Sequence, residues 1–236
     1  MHLLAHRGAS ATHPENTIPA FDAALLRGVA GFETDLRLCA DGVVVCHDAT
    51  LRRFGGSAAP VLRRRRADLA TADVGRWKAR RYAGTGVIDL RTLLTRYGTR
   101  CRMWLEFKPQ PDARLAKRLV DATLAAIADA GCAERCHLLC FDARVLAYAK
   151  RRAPQIPRVW NRAHPPRDLA PAKACGAAII DAALDQWTPE AAARIRGAGY
   201  QTAAYSADTK AALAHARRCQ LDWLMTNDPA RLVRIW

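Results

Sequence analysis

The sequence predicts an α/β fold, a closed (β/α)8 TIM barrel carrying a small insertion after the hairpin of its second strand. Three observations predict it. Eight short apolar runs alternate with longer amphipathic segments through 236 residues, the strand–helix rhythm that closes into such a barrel. No GxGxxG loop follows the first run, as it usually does in an open, doubly wound sheet. Spaced carboxylates end the second and third runs, and barrels of this kind keep their active sites at the C-terminal strand ends.

Taken in order, the predicted strands are Leu3–His6, Gly31–Leu36, Met103–Phe107, Cys136–Phe141, Pro157–Trp160, Ala177–Ile180, Gln201–Tyr205 and Asp222–Met225. Amphipathic segments at Thr17–Arg27, Ala113–Ala130, Ala143–Arg152, Pro189–Ala198 and Thr209–Arg218 read as the intervening helices. Pro14-Glu15-Asn16-Thr17 reads as a helix start, with Asn16 or Thr17 as its cap. Two places break the rhythm. Val43–Cys46 is a further β-like run, and Asp41-Gly42 before it is a strong hairpin signal. Leu36–Cys46 therefore reads as a ribbon projecting past the rim and folding back, which brings His47 close to Asp35. Leu51–Val87 is Arg-rich and weakly periodic, and is expected to be a small inserted subdomain or cap (51–87) at the same mouth of a single domain spanning 1–236.

Half of the residues are hydrophobic and a quarter charged, the balance of a soluble globular protein. No apolar run approaches the ~18–20 residues that span a bilayer. Met1 runs within a few residues into the first motif, leaving no room for a signal peptide, so the chain reads as cytoplasmic. The formal charge of +15 is mostly arginine. It reflects either composition or a positive field that attracts phosphate-bearing substrates or a membrane surface. Arg63–Arg66 is the one tight basic run and reads as solvated loop. No zinc-finger, RNA-recognition or basic-zipper pattern accompanies it, so no nucleic-acid partner is expected. The eight cysteines include no CxxC pair and read as reduced, buried, small hydrophobes rather than a zinc site or disulfides.

The chemistry is concentrated in the first 48 residues and one later strand. Strand side chains alternate faces, so Glu33 and Asp35 point the same way, as do Glu106 and Lys108. If these strands are neighbours, Glu33, Asp35 and Glu106 converge at one mouth. Three converging carboxylates call for positive charge, and all-oxygen ligation favours Mg2+ or Ca2+. His6 and His47 flank that cluster and suit proton transfer. Arg7 and Lys108 suit the non-bridging oxygens of a phosphate. Asp48 reads as a cap of the following turn in preference to a partner of His47. His2, His13, His137, His164 and His215 have no comparable setting.

His6-Arg7-Gly8, Pro14-Glu15-Asn16-Thr17 with Ala20-Phe21, Glu33-x-Asp35, Asp41-Gly42 and His47-Asp48-x-Thr50-Leu51-x-Arg53 form one ordered series. It closely resembles the opening signature of the glycerophosphodiester phosphodiesterase family, and Leu105-Glu106-Phe107-Lys108 resembles that family's Leu-Glu-x-Lys strand. The resemblance implies the barrel, a divalent metal on Glu33, Asp35 and Glu106, and an acid–base pair at His6 and His47. It implies phosphate contacts at Arg7 and Lys108. The implied reaction is hydrolysis of a small glycerophosphodiester to glycerol 3-phosphate and an alcohol, by attack of water or of the glycerol 2-hydroxyl. A lysophospholipase D-type or sphingomyelinase D-like hydrolase at a membrane surface, or a non-catalytic phosphate- or lipid-binding relative, are the alternatives. No segment declares an oligomeric state.

The departures come late in the chain. The family's Trp-Thr-x-Asn reads Tyr205-Ser206-Ala207-Asp208, and its Thr-Asp-x-Pro reads Thr226-Asn227-Asp228-Pro229. Cys140 stands where a serine usually precedes Phe141, and Ile88-Asp89-Leu90-Arg91 stands for Ile-Pro-Thr-Leu. Tyr205 and Phe141 are expected to wall the pocket for the alcohol. These changes are expected to affect that pocket and to leave the chemistry intact.

Overall fold

The computed structural model describes residues 1–235. Its strands, in chain order, are β1 (His2–His6), β2 (Gly31–Cys39), β3 (Gly42–Val45), β4 (Arg102–Phe107), β5 (Cys136–Cys140), β6 (Arg158–Arg162), β7 (Ile179–Ala183), β8 (Gln201–Tyr205) and β9 (Trp223–Thr226). The helices are α1 (Ile18–Leu25), α2 (Arg66–Ala70), α3 (Leu90–Tyr97), α4 (Ala113–Ala130), α5 (Ala143–Arg152), α6 (Ala170–Cys175), α7 (Pro189–Gly197), α8 (Lys210–Arg218) and α9 (Pro229–Ile235). β1 pairs in parallel with both β2 and β9. That closes eight parallel strands into the predicted barrel, with β3 added antiparallel to the end of β2.

The strand periodicity sorts the apolar side chains into two cores. Leu4, Trp104, Leu139, Val159, Ile179, Ala203, Trp223 and Met225 form one buried cluster inside the barrel. Their neighbours in sequence, such as Ala5, Leu105, Leu138, Ile180 and Leu224, belong to the larger core shared with the helices. Gly31 lets β2 approach β4: a Cβ there would sit 1.9 Å from the Arg102 carbonyl oxygen. The helices start where short polar residues satisfy free amides. Asp112, Asp142, Thr188 and Thr209 accept from backbone N–H groups at the starts of α4, α5, α7 and α8.

Predicted and observed bounds differ by a residue or two at most strands. β2 runs on to Cys39 because its end pairs with β3, Leu36 opposite Val45 and Cys39 opposite Gly42. The ribbon is as expected. Sequence reading passed over α3, α6 and α9. α3 is only eight residues long, yet Asp89 caps it and Leu90, Leu93, Leu94 and Tyr97 are buried along one face. Thr17 holds the cap position of α1 without a side-chain cap bond; its hydroxyl donates to the Pro14 carbonyl.

Residues 51–87 form α2 and three short 3-10 turns. Leu51, Val61, Leu69, Val74 and Val87 cluster with Cys39, Val44 and Cys46 of the hairpin. The Lys78 ammonium donates to the Ser10 carbonyl at 2.6 Å, which ties this segment to the loop after β1 at the C-terminal face. All eight cysteines are buried and unpaired. No helix among the described residues is long and apolar enough to cross a membrane.

Candidate active site

β1, β2 and β4 are adjacent in the barrel, and their C-terminal ends carry His6, Glu33, Asp35 and Glu106 to one point. Glu33, Asp35 and Glu106 are each buried, and each offers an oxygen within 4.8 Å of the others. The polypeptide turns away sharply after β1. Arg7 and Gly8 both have positive φ, 56° and 79°, and a Cβ on Gly8 would lie 2.7 Å from the Ala20 backbone. That turn points the Arg7 guanidinium back over the cluster, with Nε 3.1 Å from Asp35 and Nη1 3.1 Å from Glu15. Lys108, at the end of β4, reaches Glu106 at 2.9 Å and Asp35 at 3.4 Å.

Burial drives the carboxyl of Glu33 well above the usual range, and the Asp35 and Glu106 charges add to it. Glu106 is raised for the same reasons, burial first and then Asp35. Asp35 goes the other way: burial opposes its ionisation, but Arg7 and Lys108 together outweigh it. Asp35 is thus the anchor of charge in the cluster. Glu33 Oε1 and Asp35 Oδ1 are buried acceptors with no hydrogen-bond partner. Orphaned acceptors of this kind in an all-oxygen set fit a hard divalent cation.

The two histidines flank this cluster. His6 Nε2 lies 3.7 Å from Glu33, and its Nδ1 is 2.8 Å from Asn227 Oδ1. Burial first, and Arg7 second, lower the His6 pKa. His47 follows the hairpin, where the Cys46 amide donates to the Asp35 carbonyl and holds the ribbon against β2. His47 Nδ1 lies 2.7 Å from Asp48 Oδ1, and Asp48 Oδ2 accepts from Arg53 at 2.6 Å. Asp48 therefore orients His47, a correction to its reading as a cap. Arg53 also donates to both Glu15 oxygens, at 2.9 and 2.7 Å, so it links the insertion to the loop that carries Arg7.

Sequence reasoning missed three features: the place of Asn16, the Asn227–Asp208 pair behind His6, and Asp181. Asn16 is no cap: it has φ 59°, it donates to Asp35 Oδ2 at 2.8 Å, and it accepts from Thr34 at 2.7 Å. Asn227 holds His6, and Asp208 holds Asn227. The Asp208 carboxylate accepts from the Asn227 amide side chain and backbone N–H, both at 2.7 Å, and from Thr226. The departures at 208 and 227 thus stand behind a proton-transfer candidate, not in the pocket for the alcohol. The spacing of 221 positions between His6 and Asn227 hid this. Asp181, the third miss, faces the barrel interior beside Asn161 on β6. It is fully buried with neither carboxylate oxygen partnered, and burial, then Glu106, push its pKa well up. Its apolar neighbours made β7 read as an ordinary buried strand.

Phe141 and Tyr205 lie on other parts of the rim. Phe141 follows β5 and is 41% exposed. Tyr205 is half-buried and donates its hydroxyl to the Arg162 carbonyl; burial and then Asp181 push its pKa to about 12.

Comparison with known proteins agrees with this geometry. The model of the glycerophosphoryl diester phosphodiesterase family matches residues 6–231. The glycerophosphodiester phosphodiesterase of Bacillus subtilis is 34% identical over 118 residues, 46% of this chain and 40% of that protein. The chain matches less than half of the length of its curated relatives. Among solved structures, glycerophosphodiester phosphodiesterase from Agrobacterium tumefaciens superposes with a TM-score of 0.84 at 25% identity, over 99% of each chain. An Oleispira antarctica phosphodiesterase, solved in complex with the product sn-glycerol-3-phosphate, superposes with a TM-score of 0.87 at 23% identity, over 100% of this chain and 95% of that one.

Proposed function

The chain belongs to the glycerophosphoryl diester phosphodiesterase family, and we propose that it hydrolyses glycerophosphodiesters to glycerol 3-phosphate and an alcohol. One observation carries the reading: two imidazoles, His6 and His47, flank a buried carboxylate triad that two cations, Arg7 and Lys108, also face. The Oleispira antarctica relative, solved with sn-glycerol-3-phosphate, is consistent with a barrel of this shape accepting that product.

Glu33, Asp35 and Glu106 would hold Mg2+ or Ca2+. Bound there, the ion supplies Lewis-acid neutralisation of charge on a phosphoryl oxygen. Arg7 and Lys108 face the remaining non-bridging oxygens and offset charge that grows in the transition state. One imidazole takes the proton of the nucleophile and the other gives a proton to the leaving alkoxide. Asn227 and Asp48 each engage an Nδ1 atom, which leaves each Nε2 free for that work. Residues 51–87 hold His47 indirectly, since Arg53 donates to Asp48, whose carboxylate engages His47 Nδ1.

Release of glycerol 3-phosphate from a panel of glycerophosphodiesters tests this, with Mg2+, Ca2+ or chelator. Turnover is expected with metal and not with chelator. His6→Ala and His47→Ala should each lose about 10²–10⁴-fold in kcat. Near-parental rates in both variants would end the assignment of the histidines. No glycerol 3-phosphate from any diester with either metal would end the functional reading.

A further inference from the structure

Side chains that fill a barrel of this kind stack in layers of four, each layer drawn from alternate strands. Followed round the barrel with its tilt, the strand registers place His6, Glu106, Asn161 and Tyr205 in the layer at the mouth. Glu33, Leu139, Asp181 and Met225 form the layer beneath it. Leu4, Trp104, Val159 and Ala203 close the floor below them with apolar surface. Glu33 and Asp181 thus stand at one depth on opposite walls, because β2 and β7 are four strands apart in the ring. The free oxygen of Glu33 belongs to the carboxylate cluster, and Asp181 lies outside that cluster. Of the buried carboxylates among the described residues, only Asp181 has both oxygens without a hydrogen-bond partner. Asn161, its register neighbour on β6, has an unpartnered Oδ1 as well. Three buried acceptors left open side by side are costly, and a ligand that pairs with them removes the cost. Asn161 is 5% exposed and belongs to the mouth layer, so the pair is reached from the side on which substrate enters.

We propose that Asp181 and Asn161 hold the terminal hydroxyl of the substrate's glycerol and so make the site specific for glycerol diesters. The inference rests on the phosphodiesterase reading of the mouth and names a specificity-determining pair for it. The alcohol of a diester varies in size and has to lie toward the open mouth. The glycerol is the constant half, and a closed polar wall is what can measure it. With the phosphate beside Arg7 and Lys108, the glycerol runs across the barrel axis and its last carbon meets the opposite wall. A hydroxyl there both accepts and donates a proton, and the pair matches it. Burial first, and then the Glu106 charge, keep the Asp181 carboxyl protonated. Its O–H donates to the hydroxyl, and the hydroxyl donates to Asn161 Oδ1. A methyl group in the same place pairs with neither and shuts both away from water, which is how a buried polar site rejects an analogue that lacks a hydroxyl.

The test is binding, which does not depend on turnover. Calorimetry with Mg2+ compares glycerol 3-phosphate with 2-hydroxypropyl phosphate, which lacks only the terminal hydroxyl. The parent is expected to bind the first about tenfold to a hundredfold more tightly. Asp181→Ala should weaken glycerol 3-phosphate by that factor and leave the analogue in place, so the ratio falls to about one. Asn161→Ala approaches the same hydroxyl from the other strand and should lower the ratio too; either variant that folds suffices. Asp181→Asn should keep most of the ratio, because a carboxamide also donates and accepts. Equal Kd values in the parent overturn the proposal, as does a ratio that survives in the alanine variants. A purely structural Asp181 would move both Kd values together and leave the ratio alone, which overturns it as well. Turnover of glycerophosphocholine by the parent is read separately. Turnover without a Kd ratio removes the subsite and keeps the function. A ratio that the alanine variants abolish, without turnover of any diester, keeps the subsite and removes the function.

Discussion

His6 takes its orientation from a residue 221 positions away, and the identity of that residue is unusual. The family pattern pairs an amide at 208 with an acid at 227; here Asp208 and Asn227 exchange those roles. The exchange is self-consistent. Asn227 donates its Nδ2–H groups to Asp208 and Ser206, so its Oδ1 is left to accept from Ser10 and to face His6 Nδ1. One charge and one amide fill the position either way round. Two carboxylates would not, because they would face each other at the 2.7 Å now spanned by a hydrogen bond. Asn227→Asp alone should therefore cost roughly 1–3 kcal/mol of stability and lower kcat. Adding Asp208→Asn should recover most of both. Thermal melts and kcat on the two variants decide it: a single variant as good as the parent, or a double variant no better than the single, would sink the coupling.

Elements bring these residues together, and the barrel strands do so with a cost at their lower ends. Trp104, His137 and Trp223 meet inside the barrel, with ring centroids 5.3–6.0 Å apart. His137 is 6% exposed and its Nδ1 has no partner. Burial first, and Arg102 second, push its pKa down to about 4. The unfolded chain titrates near 6.5. Above that pH neither state binds the proton and the residue costs nothing. As pH falls from about 6.5 to about 4 the unfolded state gains a proton that the folded state refuses, so stability drops, by about 3 kcal/mol in all. His137→Phe keeps the packing and removes the titration. Denaturant midpoints at several pH values should fall less steeply in acid for the variant than for the parent; identical slopes would show that His137 is not the cause. Nothing in the sequence marked this histidine, because its setting is made by three strands at once. The same limit explains what was legible elsewhere. The barrel could be read because each strand carries its own apolar run, and the carboxylates because strand alternation puts Glu33 with Asp35. The ribbon could be read because Asp41-Gly42 is a local signal. α6 is too short to show a period, and the single turn-spacing of Leu90, Leu93, Leu94 and Tyr97 in α3 was passed over beside the weakly periodic insertion. Asn16 looked like a cap from its neighbours alone, and Asp181 and Asn227 acquire meaning only from partners far away in sequence.

At the scale of the whole molecule the dominant quantity is the charge of +15, and it is unevenly placed. Residues 51–87 hold ten cations against Asp68 and Asp73, a net +8 within that total. Some of these cations are committed: Arg53 to Glu15 and Asp48, Arg66 to Asp41 and Asp89, Arg76 to Asp73. Arg63, Arg80 and Arg81 have no ion-pair partner among the described residues. The segment touches the loop after β1 through Lys78 and through Tyr82, whose ring lies 5.4 Å from His13. A positive field beside an active-site mouth raises the local concentration of anions, and salt screens it over about 10 Å at 0.1 M. The consequence depends on the net charge of the substrate. Glycerophosphoglycerol is a monoanion, while glycerophosphocholine is zwitterionic and feels the field far less. Raising salt from about 0.01 to about 0.3 M should therefore lower kcat/KM several-fold for the first and little for the second. Replacing Arg63, Arg80 and Arg81 with Gln should flatten the first curve toward the second and leave kcat in place, since none of the three touches the carboxylate cluster. Parallel salt curves for the two diesters would mean that the charge of the insertion plays no part in gathering substrate. A curve unchanged by the substitutions would place the field elsewhere, among the cations of the helices around the barrel.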